Sequence, residues 1–194
     1  MNVAPLTASS AFAGLQMPGT LGIDIRELDG LGIATVVLRK GQSAALASRL
    51  RERYGIELPL GPRLASAKGI SLLGTGPDTR LAIREGGGNE FALSLRDAID
   101  ALASVADQSD GLAVVQVSGA RVREALCQLF AVDLDGGVFQ PGDVAVTPAG
   151  HIGATLWRVD DLQGVCAFRI AVPRSFAASF RDHLVEAAAS AQAR

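Results

Sequence analysis

At 194 residues, with 48% hydrophobic and 20% charged residues, the chain can bury a core without disulfides or metals and is too apolar for a disordered chain. A net charge of −2 argues against a phosphate-tracking surface, and 5% aromatic residues against a row of base-stacking rings, so no nucleic-acid partner is expected. No run approaches the roughly 18 apolar residues of a membrane span, and the first basic residue, Arg26, comes too late for a signal peptide, so no membrane partner is expected either.

Residues 1–20 hold no helix or strand period and read as an extended arm. Phe12 and Leu15 suit a purely solvated tail poorly, which makes them candidates for contact with a partner. Ile23–Leu28 reads as a short strand before the Asp29-Gly30 turn. Ile33–Arg39 is a β-rich strand, and Gln42–Tyr54 a helix with Leu46, Leu50 and Tyr54 on one face. Pro59, Gly61 and Pro62 open a loop. Gly69–Leu73 and Arg80–Glu85 read as strands joined by Gly74-Thr75-Gly76-Pro77-Asp78, and Leu93–Leu102 as a helix with its stripe at Leu95, Ala98, Ile99 and Leu102.

The second part follows the same order. Leu112–Ser118 is a Val-rich strand, Gly119 a turn, and Ala120–Phe130 a helix. Asp143–Thr147 and Gly153–Val159 are strands around His151. Val165–Val172 is a nearly continuous apolar strand interrupted by Arg169, and Ser175–Ala189 is the last helix. Val36-Val37-Leu38-Arg39-Lys40-Gly41 lies over Val114-Val115-Gln116-Val117-Ser118-Gly119 in spacing, so the chain reads as a structural duplication. The expected fold class is α+β: two ferredoxin-like βαββα halves, about 21–104 and 105–194 of one domain 21–194, with helices packed on antiparallel sheets and an arm in front. A one-sided sheet needs a cover, from the same chain or from a partner.

The chain shows little that does chemistry. Its two histidines, His151 and His183, stand outside any Cys/His spacing that binds zinc, and both read as structural. Cys127 and Cys166 read as buried free thiols in a reducing cytoplasm. Gly74-Thr75-Gly76 joins strand to strand, so no helix N-terminus faces a phosphate there. Asp107, Asp110, Asp133 and Asp135 fall at turn positions. Arg174, after Pro173 at the start of the last helix, is a candidate contact for an anion or a partner carboxylate. No catalytic, cofactor-binding or metal-binding residue is singled out.

Ser109-Asp110-Gly111, the Val-rich strand, Ser118-Gly119, the Val132-Asp133-Leu134 step, Phe139-x-Pro141-Gly142, Leu156-Trp157-Arg158 and Val172-Pro173-Arg174-Ser175-Phe176-Ala177 resemble, in order and spacing, the gamma subunit family of heterotetrameric sarcosine oxidase. Ser10-Ala11-Phe12-Ala13-Gly14 is similar to that family's arm motif, and Gly76-Pro77-Asp78 with Leu81 to its central loop. Arg80 stands near a position where the family usually has Trp, and Ala11 where it often has Pro. The resemblance implies a fold related to the folate-binding domains of the glycine-cleavage T-protein group. It also implies a cofactor-free scaffold subunit, with FAD, FMN, NAD and zinc on alpha, beta and delta partners, in a cytoplasmic enzyme that oxidises sarcosine and passes the one-carbon unit to tetrahydrofolate. Phe176 joins Phe12, Leu15 and Arg174 as a candidate partner contact. Three alternatives stay open: the equivalent subunit of N-methylglutamate dehydrogenase, a stand-alone folate-binding protein with Asp110 toward the pterin, and a small-ligand regulatory domain.

Overall fold

The computed structural model describes residues 9–13 and 22–192. Its strands are β1 (Asp24–Leu28), β2 (Gly32–Leu38), β3 (Leu64–Ala67), β4 (Ile70–Gly74), β5 (Thr79–Arg84), β6 (Ala103–Asp107), β7 (Leu112–Ser118), β8 (Val144–Ala149), β9 (Ile152–Leu162) and β10 (Val165–Pro173). Its helices are α1 (Ser43–Tyr54), α2 (Glu90–Ile99), α3 (Val122–Leu126) and α4 (Ala177–Gln192).

The strands form two five-stranded antiparallel sheets, ordered β6-β2-β5-β4-β3 and β1-β7-β10-β9-β8. Read this way the orders correspond: β2 and β7 open each unit, a three-stranded meander (β3-β4-β5 or β8-β9-β10) runs from one edge back to them, and a strand on the far side of β2 or β7 completes the sheet. In the first sheet that last strand is β6, which follows α2. In the second it is β1, from the beginning of the chain. Sheet membership therefore crosses the division at about residue 104: β1 lies in the later sheet, and β6, which straddles the division, in the earlier one.

Strand periodicity decides where each side chain goes. On β7, Ala113, Val115 and Val117 face α3 and α4, while Val114 faces the other sheet. On β2, Ala34 and Val36 face α1 and α2, while Ile33 faces across. The second helix-side core gathers Phe168, Ile170, Leu126, Phe180 and Leu184; the first gathers Leu46, Leu50, Phe91, Leu95 and Ile99. A third core lies between the sheets, where Leu31, Ile33, Leu73, Leu81 and Ile83 meet Val114, Val144, Trp157 and Ala171. Each sheet is thus covered by two helices on one face and by the other sheet on its second face, so the cover comes from the chain itself.

Polar links join the sheets as well. Val144 N–H donates to Pro62 O and Leu64 N–H to Gly142 O, and Arg63 pairs with Asp143. Arg169, the interruption in β10, donates to Gln116 Oε1 at 3.2 Å and pairs with Glu85, just past β5, at 2.9 Å. Arg80 is buried, and its guanidinium donates to the carbonyls of Pro59, Gly76, Pro77 and Thr79. A charge that binds four carbonyls thereby fastens the loop before β5; burial pushes its pKa below the ordinary arginine value, with Asp78 opposing.

Several elements differ from the sequence reading. The third helix stops at Leu126 because the chain turns away: Phe130 bridges to Ala149, and Gly150 N–H donates to Leu129 O. The second helix starts three residues before Leu93, at Glu90, and ends at Ile99, after which Ala101 takes φ 64°. β3 and β6 are strands not anticipated from the sequence.

Candidate functional site

The described part of the arm is held by the chain itself. Ser10 Oγ donates to Glu27 on β1, Ala11 N–H donates to the other oxygen of that carboxylate at 3.2 Å, and Phe12 N–H donates to Ser10 Oγ at 3.0 Å. This small hydrogen-bonded turn places the Phe12 ring in the helix-side core of the second sheet, where it is 3% exposed. Phe12 is therefore not offered to a partner; burying the ring among Ile23, Ile25 and their neighbours makes it an internal anchor. Leu15 lies outside the described residues.

Arg174 stands where the arm meets the last helix. Its N–H donates to Gly111 O at 2.9 Å, and its guanidinium donates to Ser9 O. It borders a cavity of about 230 Å³ whose charged and polar wall includes Ser10, Glu27, Asp29, Asn89, Asp110 and Arg174. Three carboxylates face one guanidinium there. The volume is below the roughly 300–1,000 Å³ of ligand pockets, so the space suits ordered water or a small polar group better than a pterin. Asp110 accepts from Asn89 at 3.4 Å.

The other aspartates hold turns. Asp107 accepts from the N–H and Oγ of Ser109, Asp133 from the N–H of Asp135, and Asp135 from the N–H of Gly137. The cysteines are free, but Cys127 is exposed at the end of the shortened third helix; only Cys166 is partly buried. Burial pushes the Cys166 thiol up, with the Arg123 and Arg158 guanidinia opposing. Among the described residues no group of three or more His, Cys, Asp and Glu side chains is placed to hold a metal ion. Among them, too, no helix is long and apolar enough to cross a membrane.

Two surface features remain. Phe176, in the 3-10 turn Arg174–Phe176 before α4, is 45% exposed. A groove of about 620 Å³ runs beside the edge strand β8, lined by Leu60, Pro62, Pro77, Val132, Val144 and Val146. Leu60 is 89% and Val146 59% exposed. The sequence reading passed over this groove, although Leu60 between Pro59 and Gly61 is an apolar residue in a turn with no period to bury it. It also missed the contact of the two histidine rings, whose centroids are 5.3 Å apart.

The whole architecture is shared with solved proteins. A chain of the heterotetrameric sarcosine oxidase from Corynebacterium sp. U-96, in complex with pyrrole 2-carboxylate, superposes with a TM-score of 0.79 at 23% identity, over 94% of this chain and 95% of that one. The glycine cleavage system aminomethyltransferase T from Bartonella henselae superposes with a TM-score of 0.62 at 13% identity, over 84% of this chain but only 45% of that one. At these identities the likeness establishes the fold, and this chain spans about half of the second protein. No curated protein sequence matches at a significant level. The sequence profile of the sarcosine oxidase gamma subunit family matches residues 40–190, from the loop before α1 to the last turns of α4, and the chain belongs to that family.

Proposed function

We propose that this chain is a non-catalytic structural subunit of a heterotetrameric sarcosine oxidase, placed beside alpha, beta and delta chains that carry FAD, FMN, NAD and zinc. In that enzyme sarcosine, O2 and tetrahydrofolate give glycine, H2O2 and 5,10-methylenetetrahydrofolate. The observation that carries the reading is the family match over residues 40–190 on a fold complete in both sheets. The use of these charges supports it: buried Arg80 and Arg158 bind backbone carbonyls, and half-buried Glu27 binds residues 10–11, as structural groups do.

The contacts to partners are assigned to the exposed surface: Phe176, Arg174 beside it, and the apolar groove along β8. A half-exposed aromatic ring next to a guanidinium has the composition of an interface anchor. Arg174→Glu should weaken assembly by reversing the charge at the arm junction.

Purifying the tagged chain from cells that co-express alpha, beta and delta chains should bring down large polypeptides with flavin absorbance and sarcosine-oxidising activity. A flavin-free, monodisperse monomer, with activity undiminished in cells lacking the chain, would overturn the assignment. Oxidation of N-methylglutamate in place of sarcosine by the isolated complex would move the chain to N-methylglutamate dehydrogenase.

A further inference from the structure

The chain has two histidines, and the fold brings them together. His151 lies on the tight turn between β8 and β9, and His183 on the side of α4. Their ring centroids are 5.3 Å apart and the planes meet at 79°. His151 is exposed and His183 half-buried, so water reaches the pair. The turn passes close over α4: Gly150 takes φ 60°, and a Cβ built on it would stand 3.9 Å from His183 Nδ1.

From this juxtaposition we propose that His151 and His183 form an open site for one divalent transition-metal ion of the zinc, copper and nickel class. The spacing fits. An ion about 2.0–2.1 Å from one nitrogen of each ring stands about 3.2 Å from each centroid. Centroids 5.3 Å apart then subtend close to a tetrahedral angle at the ion. Neutral imidazole is a ligand for zinc, copper and nickel, whereas magnesium and calcium require oxygen donors that this pair lacks. Among the described residues no third His, Cys, Asp or Glu joins the rings, so the remaining coordination positions go to water. The site is accordingly weaker than a four-ligand structural zinc site.

Its consequence is mechanical: an ion shared by the β8–β9 turn and α4 ties the edge of the second sheet to the helix over it. Binding to the folded state alone raises its stability by mass action. The inference stands on the two rings and is independent of the family assignment.

The test uses the full-length chain without a histidine tag. Titration with ZnCl2 at neutral pH, followed calorimetrically, should show one ion per chain and a melting temperature that rises with zinc. His151→Ala and His183→Ala should each weaken binding at least as much as the roughly 10–100-fold that loss of an outer-shell partner costs, and each should abolish the melting shift. His183→Gln, which keeps more of the packing, repeats the result if His183→Ala folds poorly. Cys127→Ser, which removes the exposed thiol, should leave binding unchanged. With Cu2+, electron paramagnetic resonance should show two nitrogen ligands in the parent chain and one in either single variant. No zinc binding, binding that survives in either histidine variant, or binding lost in Cys127→Ser would overturn the site.

Discussion

The two halves of the molecule run through the same strand order and arrive there by different routes. The first sheet is completed by β6, which the chain reaches directly from α2. The second is completed by β1, laid down before the first sheet is made and paired with β7 from Asp24–Ser118 to Leu28–Val114. The second half also holds the arm, through Phe12 in its core and Glu27 on β1. Local connections build the first half, whereas the second closes only when both ends of the chain are in place. A duplicated sequence pattern thus conceals an asymmetry in what each half needs.

The sharpest break of that comparison is removal of residues 1–28. This strips β1 from the edge of β7 and takes Phe12, Ile23 and Ile25 from the second helix-side core. Each large apolar side chain is worth about 1.5–3 kcal/mol when buried, against a total stability of about 5–15 kcal/mol. The second half should lose cooperative unfolding and bind hydrophobic dye. Hydrogen exchange should show the loss beginning in β7 and β10 and reaching the first sheet only later. A shortened chain that melts cooperatively at the parent temperature would show that β1 is dispensable.

Trp157→Ala tests what the halves share. The indole is fully buried between the sheets, facing residues such as Leu81 and Ile83 of the first and Val114 of the second. Truncation there should cost about 3–5 kcal/mol. Because the cavity opens onto both sheets, denaturant unfolding followed by helix signal and by exchange in either sheet should shift together. A shift confined to one sheet would mean that the halves unfold independently.

Gly41 and Gly119 occupy the same place in the repeat, after the first strand of each half, and separate its two members at a single atom. Both have positive φ, 78° and 138°. A Cβ on Gly41 would meet nothing within 4 Å, whereas one on Gly119 would fall 2.0 Å from Gly22 O, just ahead of β1. Gly41→Ala should cost only the roughly 1–2 kcal/mol of a left-handed backbone. Gly119→Ala adds a backbone clash and should cost clearly more, read as the difference in urea midpoint between the two variants. Equal costs would mean that the β1 segment yields freely at Gly22.

These contrasts mark where the sequence is legible and where it is not. β7 was placed at its observed bounds because Leu112–Val115 and Val117 form a nearly continuous apolar run, which is buried on both faces. β3 and β6 were missed because Leu64-Ala65-Ser66-Ala67 and residues 103–107 are short edge strands of mostly small or polar residues; pairing with β4 and β2 makes them strands. Ile23–Leu28 could be read as a strand, but its partner lies in the other half of the chain, and local periodicity carries no such address. At the site, Arg174 was visible as a charge beside a proline. Glu27 and the histidine pair were not, since each gains its meaning from a segment far off in sequence. Phe12 stood out by its apolarity, but its place in an arm hid that residues 9–13 fold back onto β1 and the second helix-side core.

The smallest expected effect on folding lies one helical turn from a large one. Phe176 and Phe180 are four residues apart, a spacing that puts two side chains on one face of a continuous α-helix. On the helix Ser175–Ala189 expected from the sequence the two rings would therefore form one apolar stripe. Here α4 begins at Ala177, and Phe176 closes a tighter 3-10 turn, so the phase of the stripe breaks between them. Phe180 is fully buried under the second sheet while Phe176 is 45% exposed. Phe180→Ala should cost about 3–5 kcal/mol, and Phe176→Ala should stay within about 0.5 kcal/mol of the parent in denaturant unfolding. If the exposed ring is a partner contact, Phe176→Ala should nonetheless lower recovery of the flavin-bearing chains in co-purification. An unchanged yield of complex would remove Phe176 from the interface and leave the groove along β8 as the surface to mutate next.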